Sequence, residues 1–234
     1  MFRVEIDTRE WEQLLRRMAR QLPYATSRAL NATAKIAQEE ERKEIGRVFD
    51  APTPFTQKAT FVTYATKERL HADVFLRDEA VKGTPPAKFL LAQIAGGPRA
   101  PKRHELALRS AGILGSREFT APGKDMRLNR YGNLSAGTYV KILSQLRASR
   151  DPTQNAPLGK VGRRYFYSRG EHLPRNIYER YGARARKARP ALAIVKQPVY
   201  SKRLDFQGVV ERTARVHFPR EFHRALRQAL KTAR

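Results

Sequence analysis

The amino-acid sequence predicts an α+β protein with a long N-terminal helix, an antiparallel β-hairpin or small sheet, C-terminal amphipathic helices and extended Pro/Gly-rich arms. Three observations indicate this class. The chain contains no proline between Pro23 and Val48, two alternating apolar runs follow that segment, and the C-terminal segment again spaces its apolar residues by three and four. Because no linker-like change of composition divides the chain, we expect one structural domain over 1–234, with irregular arms at about 77–102 and 147–190.

The N-terminal segment predicts a short strand followed by a helix. Phe2, Val4 and Ile6 alternate with charged residues, which is the period of a half-buried strand. The helix that follows has apolar residues at spacings of three and four, and we expect this stripe to face the core. Its members are Trp11, Leu14, Leu15, Met18 and Leu22.

A second helix is expected from Pro23 to Val48, because proline is favoured in a first helical turn. Its segment 39–44, EEERKE, is charged nearly all round, so we expect this half to project from the core or to pack against another subunit. The acidic run indicates a solvated face with local ion pairs and not a metal site, because adjacent carboxylates on a helix point in different directions.

A β-hairpin is predicted after this helix. Pro52 and Pro54 end the helix. The runs KATFVTYAT and RLHADVFL then alternate apolar and polar residues on either side of a short polar turn. From Arg77 to Pro101 the chain is interrupted by GTPP and GGPRAP, with the short apolar segment AKFLLAQI between them. Such irregular segments are usually functional or ordered by a partner.

The C-terminal half predicts further helices. Arg103–Leu114 and Ser135–Leu146 have helical spacing, EFTAPGKDMRLNRYGN between them resembles a turn region, and ALAIVK is a strand candidate. The last segment predicts two helices separated at Pro219. The second of these is amphipathic, and its basic side is formed by Arg220, Arg224, Arg227 and Lys231.

The composition indicates a polyanionic or acidic partner. The chain has 47 Lys and Arg against 22 Asp and Glu, a net charge of +25, which attracts DNA, RNA, anionic membranes and acidic protein faces. It has no cysteine, which excludes disulfides, zinc-thiolate sites and a thiol nucleophile. No signal peptide and no apolar run long enough to span a bilayer is found, so we expect a soluble protein made in the cytoplasm, without a membrane partner.

The sequence carries no catalytic signature. The five histidines form no i,i+4 pair of metal ligands, and neither a phosphate-binding GxxxxGK[ST] loop nor a GxSxG turn is present. HLPR, from His172 to Arg175, has only a superficial likeness to an element of tyrosine recombinases, and a turn at Pro174 explains it better. We therefore expect a protein that is not an enzyme and that needs no cofactor and no metal. A nuclease or recombinase would cleave DNA or form a covalent tyrosine adduct.

A basic, aromatic stretch from Lys160 to Pro190 is the first candidate for a contact surface. Only Glu171 and Glu179 oppose its cations. Arg and Tyr are common in protein interfaces and can also contact phosphates and unpaired bases, so protein, nucleic acid and plain solvent all remain open. The candidate contact residues are Arg163, Arg164, Tyr165, Tyr167, Arg169, Arg175, Tyr178, Tyr181, Arg184 and Arg186. Weaker candidates are Phe55 and the turn formed by Gly96, Gly97, Pro98 and Arg99.

Several segments together resemble a known family. They are LPYATSRALNATA from Leu22, FDAPTPFT from Phe49, GTPPAKFL, GGPR, ELALRSAGIL from Glu105 and ERTARVHFPREFHRALRQAL from Glu211. Their order and patterns are similar to those of prophage minor tail proteins, the broad group that includes tail-completion protein Z of tailed bacteriophages.

The resemblance implies a structural component of the virion. Such a protein would form a ring-like homo-oligomer around the tail axis and would help to join or complete the tail at the head-tail junction. It would contact the portal, an adaptor or other tail proteins, and DNA in the tail channel would be a further contact. The family supplies no catalytic residues. The alternative function is sequence-nonspecific nucleic-acid binding, and the resemblance favours protein as the partner of the basic stretch.

Overall fold

The computed structural model describes residues 9–80, 83–157 and 164–232. In chain order its elements are α1 (Arg9–Val48), α2 (Pro54–Gln57), β1 (Thr60–Thr63), β2 (Asp73–Leu76), α3 (Pro86–Ile94), β3 (Gly97–Pro98), α4 (Arg103–Ser110), β4 (Glu118–Pro122), α5 (Ala136–Gln145), β5 (Tyr165–Tyr167), β6 (Asn176–Tyr181), β7 (Lys187–Lys196), β8 (Val199–Tyr200) and α6 (Phe206–Thr232). The α+β class, with its long N-terminal helix, small antiparallel sheets and C-terminal helix, is confirmed.

The chain divides into two compact units. Unit 1 comprises residues 1–94 and 203–234, and unit 2 comprises residues 95–202. No linker composition marks either junction, and the expectation of a single domain over 1–234 stays a prediction.

Two prolines lie inside helices where the sequence predicted breaks. Pro23 lies within α1 and Pro219 within α6, so the predicted division of each segment into two helices is wrong. A proline in a helix interior removes one hydrogen bond and costs about 3 kcal/mol. In α6, residues on both sides of the proline are buried, such as Val209 and Ala229, and in α1 the buried row follows Pro23.

Helices α1 and α6 pack through small side chains. One row of α1 residues at i,i+4 spacing is buried along its whole length, and Asn31, outside this row, reaches the hairpin instead. The row consists of Ala25, Ala29, Thr33, Ala37, Glu41 and Ile45. Rows of this spacing form the ridges by which helices interlock, and alanines let the axes approach closely. The half of α1 that the sequence expected to project is therefore packed, and it carries a buried carboxyl group in this row.

The β-hairpin of unit 1 is fixed to α1 by side-chain amides. Asn31 donates to the carbonyl of Ala65 at 2.9 Å and accepts from its N–H at 2.7 Å. Gln38 donates to the carbonyl of Thr60 at 2.8 Å. Strands β1 and β2 pair antiparallel, as predicted from their alternation.

Unit 2 contains an antiparallel sheet with strand order β4-β7-β6-β5, and β3 pairs with β8 in a second, two-stranded sheet. Helices α4 and α5 contribute Leu108 and Ile142 to the same core as Ile177 and Leu192 of the sheet. The predicted helix Ser135–Leu146 is confirmed as α5, with Ser135 as its N-cap, and the ALAIVK strand is confirmed as part of β7.

Regular structure also occupies segments for which the sequence predicted turns or arms. Strand β4 lies in the predicted turn region 118–133, and β5 and β6 lie in the predicted arm 147–190. Helix α3 and strand β3 lie in the predicted arm 77–102. Short strands of this kind are stabilised by their cross-strand partners, which the local sequence does not reveal.

The N-terminal stripe does not match its prediction. The expected strand at Phe2, Val4 and Ile6 lies outside the described residues. The helix itself is confirmed, but Leu15 is 63% exposed and Leu22 is 40% exposed, so the expectation that this stripe faces the core is wrong for both. The buried side chains of α1 belong instead to the i,i+4 row that begins at Ala25.

Candidate interaction surfaces

The aromatic residues of the basic stretch belong largely to the core of unit 2. Tyr165 of β5 and Tyr178 of β6 are buried, and Phe166 stacks on Tyr178 with ring centroids 5.6 Å apart. The hydroxyl of Tyr178 donates to the carbonyl of Pro174 at 3.1 Å. Neither Tyr165 nor Tyr178 is therefore available for a partner, which corrects the sequence-based expectation. Half-buried Tyr167 forms an internal hydrogen bond.

A buried carboxylate holds two of the stretch's arginines. Glu179 is almost fully buried, and its two oxygens accept hydrogen bonds from Arg164 Nε at 2.6 Å and from Arg189 Nε at 2.8 Å. The hydroxyl of Tyr165 also lies 3.3 Å from Glu179. Burial opposes ionisation, but the hydrogen bonds from Arg189 and Arg164 outweigh it and hold the pKa of Glu179 below its usual value. Arg164 is consequently an internal partner as well as a surface residue.

Arg175 connects strands of unit 2. Its guanidinium donates to Tyr167 Oη at 2.7 Å and to Glu118 Oε2 at 2.9 Å. The backbone N–H of Gly115 first, and Arg175 second, hold the pKa of Glu118 below its usual value despite some burial. Arg175 and Tyr167 thus have structural partners within the unit.

The remaining candidate contact residues that the structure describes in this stretch are exposed. Arg169, Arg184 and Arg186 have exposed side chains, and Tyr181 is 39% exposed with the guanidinium of Arg189 5.0 Å from its ring centroid. Arg163 lies outside the described residues. These four residues are accessible, and so are the side chains of Arg164 and Arg175, which are 57% and 43% exposed although they also form internal ion pairs.

The GGPR turn is a structural element. Gly97 and Pro98 form β3 and pair with β8, and Gly96 adopts a φ of 78°, which favours glycine. Arg99 donates to both oxygens of Glu105, at 2.8 and 2.6 Å, and its side chain is 11% exposed. Arg99 is therefore unavailable as a contact residue. Phe55, in unit 1, is 40% exposed and remains a candidate.

Glu105 forms a second buried carboxylate site that the sequence analysis missed. Besides Arg99, it accepts hydrogen bonds from the backbone N–H of Lys102 at 2.6 Å and of Thr120 at 2.8 Å. Burial opposes ionisation, but these donors together lower the pKa of Glu105 to about 2. The signal available in the sequence was the position of Glu105 in the first turn of α4, where a carboxylate can reach back to the preceding N–H.

His104 completes this cluster as a neutral side chain. Burial lowers its pKa to about 4. Its Nε2 lies 2.8 Å from Thr120 Oγ1, which in turn donates to Glu105 at 3.2 Å, so Nε2 carries the proton and donates. The ring also stacks on Tyr139 with centroids 4.3 Å apart. Glu105 and Thr120 thus have their hydrogen bonds directed within the cluster, which makes it a stabilising network.

Glu41 differs from Glu105 and Glu179 because it is a buried carboxyl group to which no described residue donates a hydrogen bond. It is fully buried in the row of α1 that faces α6, and neither carboxylate oxygen has a hydrogen-bond partner among the described residues. Burial, together with the nearby carboxylates of Glu44 and Asp205, raises the pKa of Glu41 from 4.5 to about 8, against the opposing effect of Arg212. Its place in the i,i+4 series from Ala25 to Ile45 was the sequence signal that could have identified it.

A basic groove runs along the last turns of α6. It has a volume of about 560 Å³ and is lined by Arg220, His223, Arg224, Arg227, Gln228 and Lys231. Four of these residues, Arg220, Arg224, Arg227 and Lys231, are those that the sequence placed on the basic side of a helix, and their common groove confirms that they share one side. The described lining residues include no acidic side chain.

Comparisons with known proteins identify no relative: no family model matches the chain, and neither a curated protein nor a solved structure is similar to it. Within residues 9–80, 83–157 and 164–232, no group of three or more His, Asp or Glu side chains is placed to hold a metal ion. None of the described helices is long and apolar enough to cross a membrane.

Proposed function

We propose that the protein is a structural component of a tailed-phage virion, a minor tail or neck protein that assembles with copies of itself around the tail axis and helps to join or complete the tail at the head-tail junction. The family resemblance of the sequence suggests this role. The observation that carries it is an exposed apolar stripe near the start of α1, the longest helix of the chain.

The stripe has the geometry of a helix interface. Leu15 and Leu22 are seven residues apart, which places them on the same face of α1, two turns apart. Both are exposed, by 63% and 40%. A leucine gains about 1.5–3 kcal/mol when it is moved from water into an apolar contact, so covering this stripe with a neighbouring subunit would stabilise an assembly.

The hairpin of unit 1 adds further exposed apolar surface. Tyr64, Leu70 and Phe75 are exposed by 46%, 45% and 40%. Aromatic side chains are enriched in the buried parts of protein interfaces. The exposed residues of unit 2, Arg169, Arg184, Arg186 and Tyr181, would then be candidate contacts to a different and acidic neighbour, such as a portal or adaptor protein.

The deciding experiment is deletion of the gene from its phage genome, followed by electron microscopy of the lysate. Filled heads without tails, or heads and defective tails lying apart, are the expected result. Restoration of joined particles by the wild-type gene in trans would connect the defect to this protein. Normal infectious particles from the deletion strain would refute the structural role.

Self-association can be tested separately with the purified full-length protein. Leu15→Ser with Leu22→Ser is expected to shift the sedimentation of the protein to a smaller species, because the apolar stripe loses its free-energy gain on contact. Val140→Ser is the matched control, since Val140 is 55% exposed but lies in unit 2. Equal sedimentation of wild type and the double variant would contradict the interface assigned to α1.

The alternative function, sequence-nonspecific nucleic-acid binding, was predicted from the basic stretch at 160–190. That stretch supports it less well than expected. Arg164, Arg175 and Arg189 are engaged by Glu179 or Glu118, and Tyr165 and Tyr178 cannot stack on bases because they are buried.

A further inference from the structure

The strongest unassigned surface is the cationic stripe of α6, formed by Arg220, Arg224, Arg227 and Lys231. At 3.6 residues per turn these four side chains project within an arc of about 60° around the helix axis, and they extend over about 16 Å along it. They line one groove together with His223 and Gln228. The stripe is therefore a compact, linear array of positive charge.

Within the part of the chain that the structure describes, one of these four cations has an acidic partner. Arg224 pairs with Glu221, one turn earlier in the helix. The side chains of Arg220, Arg227 and Lys231 have no acidic partner in the part of the chain that the structure describes. Arg164, Arg175 and Arg189 of unit 2 differ, because each forms an ion pair with a carboxylate.

Helix α1 adds to the positive field at this end of the helix pair. Arg203 donates to the carbonyl of Val48, and Leu204 packs with Ile45, so α6 begins beside the C-terminal end of α1 and runs back along it. Between residues 13 and 38 the sequence of α1 has five basic and no acidic residues. Arg20 and Arg28, both exposed, belong to this segment. Like charges carried by two packed helices add to a positive field, which attracts a polyanion.

The stabilisation of the helix does not explain the stripe. Cations near a helix C-terminus interact favourably with its dipole, but the effect fades beyond the last turn. This accounts for Lys231 and not for Arg220 or Arg224, which lie two to three turns before the end of α6 at Thr232. Three arginines held close together repel each other, and an anionic partner would remove that cost.

The chemistry of the groove favours phosphate over an acidic protein. Interfaces between proteins usually place apolar and aromatic anchors at their centres, with charged residues depleted there. Among the described residues that line this groove there is no apolar side chain. Guanidinium groups match phosphate oxygens in a bidentate geometry, and contacts to the DNA backbone need nothing beyond well-spaced donors.

Two other anionic partners fit less well. Single-stranded nucleic acid is bound largely by bases stacking on aromatic side chains, and the lining residues that the structure describes include no Phe, Tyr or Trp. A membrane-surface helix needs a free apolar face. In this part of α6 Ala229, on the side opposite the stripe, is buried, and Phe222 and Leu226 are partly buried.

We propose that the cationic stripe of α6 binds the phosphate backbone of duplex DNA without reading its sequence. Such binding releases about 0.9 counterions for each phosphate contacted, so the affinity falls log-linearly as salt rises. In a virion this surface would meet the packaged genome. The inference depends on α6 alone and does not require the tail role.

The test is fluorescence anisotropy of a labelled duplex titrated with the full-length protein over a range of salt concentrations. The test variant combines Arg220→Ala, Arg227→Ala and Lys231→Ala. It is expected to bind at least about tenfold more weakly near 0.15 M ionic strength and to lower the slope of log K against log[salt] by about 3. Since the three side chains are exposed, circular dichroism should show an unchanged fold.

A matched control removes the same charge elsewhere. Arg117→Ala, Lys141→Ala and Arg150→Ala also delete two arginines and one lysine, all exposed and all in unit 2. This variant should retain the wild-type slope. Equal loss in both variants would overturn the proposal, because it would show that only net charge matters.

Further outcomes also decide the matter. The proposal would be overturned if the wild type did not bind the duplex near 0.15 M ionic strength. It would also be overturned if polyglutamate competed for the protein as well as unlabelled duplex does, because that result would indicate an acidic protein partner. Duplexes of unrelated sequence that bind with equal affinity would support it. A strong preference for one sequence would refute recognition of the backbone alone.

Discussion

Replacement of Glu41 by glutamine is expected to stabilise the protein at neutral and alkaline pH. Glutamine has nearly the same shape as a protonated glutamate but cannot acquire a charge. Glu41 is fully buried between α1 and α6, and its oxygens have no hydrogen-bond partner among the described side chains and backbone groups. Ionisation at this position would therefore leave an uncompensated charge in the helix interface.

The size of the effect follows from the difference in pKa. Burial raises the pKa of Glu41 to about 8 in the folded protein, against 4.5 for an exposed carboxyl group. Between these values the folded state binds the proton that the unfolded state has lost, so stability decreases as pH rises from about 4.5 to about 8. At pH 7 this linkage removes about 3 kcal/mol from the free energy of unfolding, and Glu41→Gln would restore that amount.

The assay is urea unfolding of wild type and Glu41→Gln, followed by circular dichroism at about pH 5 and about pH 7.5. The free energies of unfolding should differ by less than about 1 kcal/mol at the lower pH and by about 3 kcal/mol or more at the higher pH, with the variant the more stable. Glu39→Gln is the control, because its side chain is 57% exposed on the same helix, and it should change the free energy by less than about 0.5 kcal/mol. Equal stability of wild type and Glu41→Gln at both pH values would refute a buried, neutral Glu41.

Three further predictions concern packing and charge. Gly123→Ala should destabilise unit 2 by about 3 kcal/mol or more in urea unfolding, because the new Cβ would lie 1.8 Å from the carbonyl oxygen of Pro190. Gly46→Ala is the control: its Cβ would have no atom within 4 Å, and the substitution should stabilise α1 by about 1 kcal/mol. Equal effects of the two substitutions on the free energy of unfolding would contradict the close approach at Gly123. Arg99→Ala should cost about 3–5 kcal/mol by leaving buried Glu105 without its cation, and a loss below about 1 kcal/mol, as for an exposed ion pair, would argue against the buried network. In thermal melts of the wild type, the stability contributed by Glu105 should disappear as pH falls from about 4.5 to about 2, because its lowered pKa means that the unfolded state takes up the proton first.

The sequence predicted the elements whose signals are local. Helix α5 follows from its apolar spacing and its N-cap Ser135, and the β1-β2 hairpin follows from alternation around a polar turn. The breaks expected at Pro23 and Pro219 were wrong because a local rule assigned a fixed cost to proline. Packing between α1 and α6 compensates that cost, and such packing is a property of two distant segments that no local rule contains.

The candidate contact residues were predicted less well, for a physical reason. Composition identified Arg164, Arg175 and Arg99 as cations but gave no information about their partners. Their carboxylates, Glu179, Glu118 and Glu105, are 15, 57 and 6 residues away in the chain, so the fold alone brings them together in two of the three cases. By contrast, the basic side of α6 was visible in the sequence, because side chains that share a helix face recur at three and four residues.

Net charge therefore indicates a binding surface only after the internally paired cations are set aside. In unit 2, Arg99, Arg164, Arg175 and Arg189 neutralise buried or partly buried carboxylates and stabilise the fold. In unit 1 the acidic segment 39–44 lies near the C-terminal end of α1, and among the described side chains the α6 stripe has one acidic partner, Glu221, which pairs with Arg224. Removal of a cation that stabilises the fold lowers the free energy of unfolding. Removal of a cation that serves only to bind a partner leaves the free energy of unfolding unchanged. The triple substitution in α6 should thus leave the unfolding free energy almost unchanged while it weakens DNA binding, whereas Arg99→Ala should reduce stability and leave the salt dependence of DNA binding as it was.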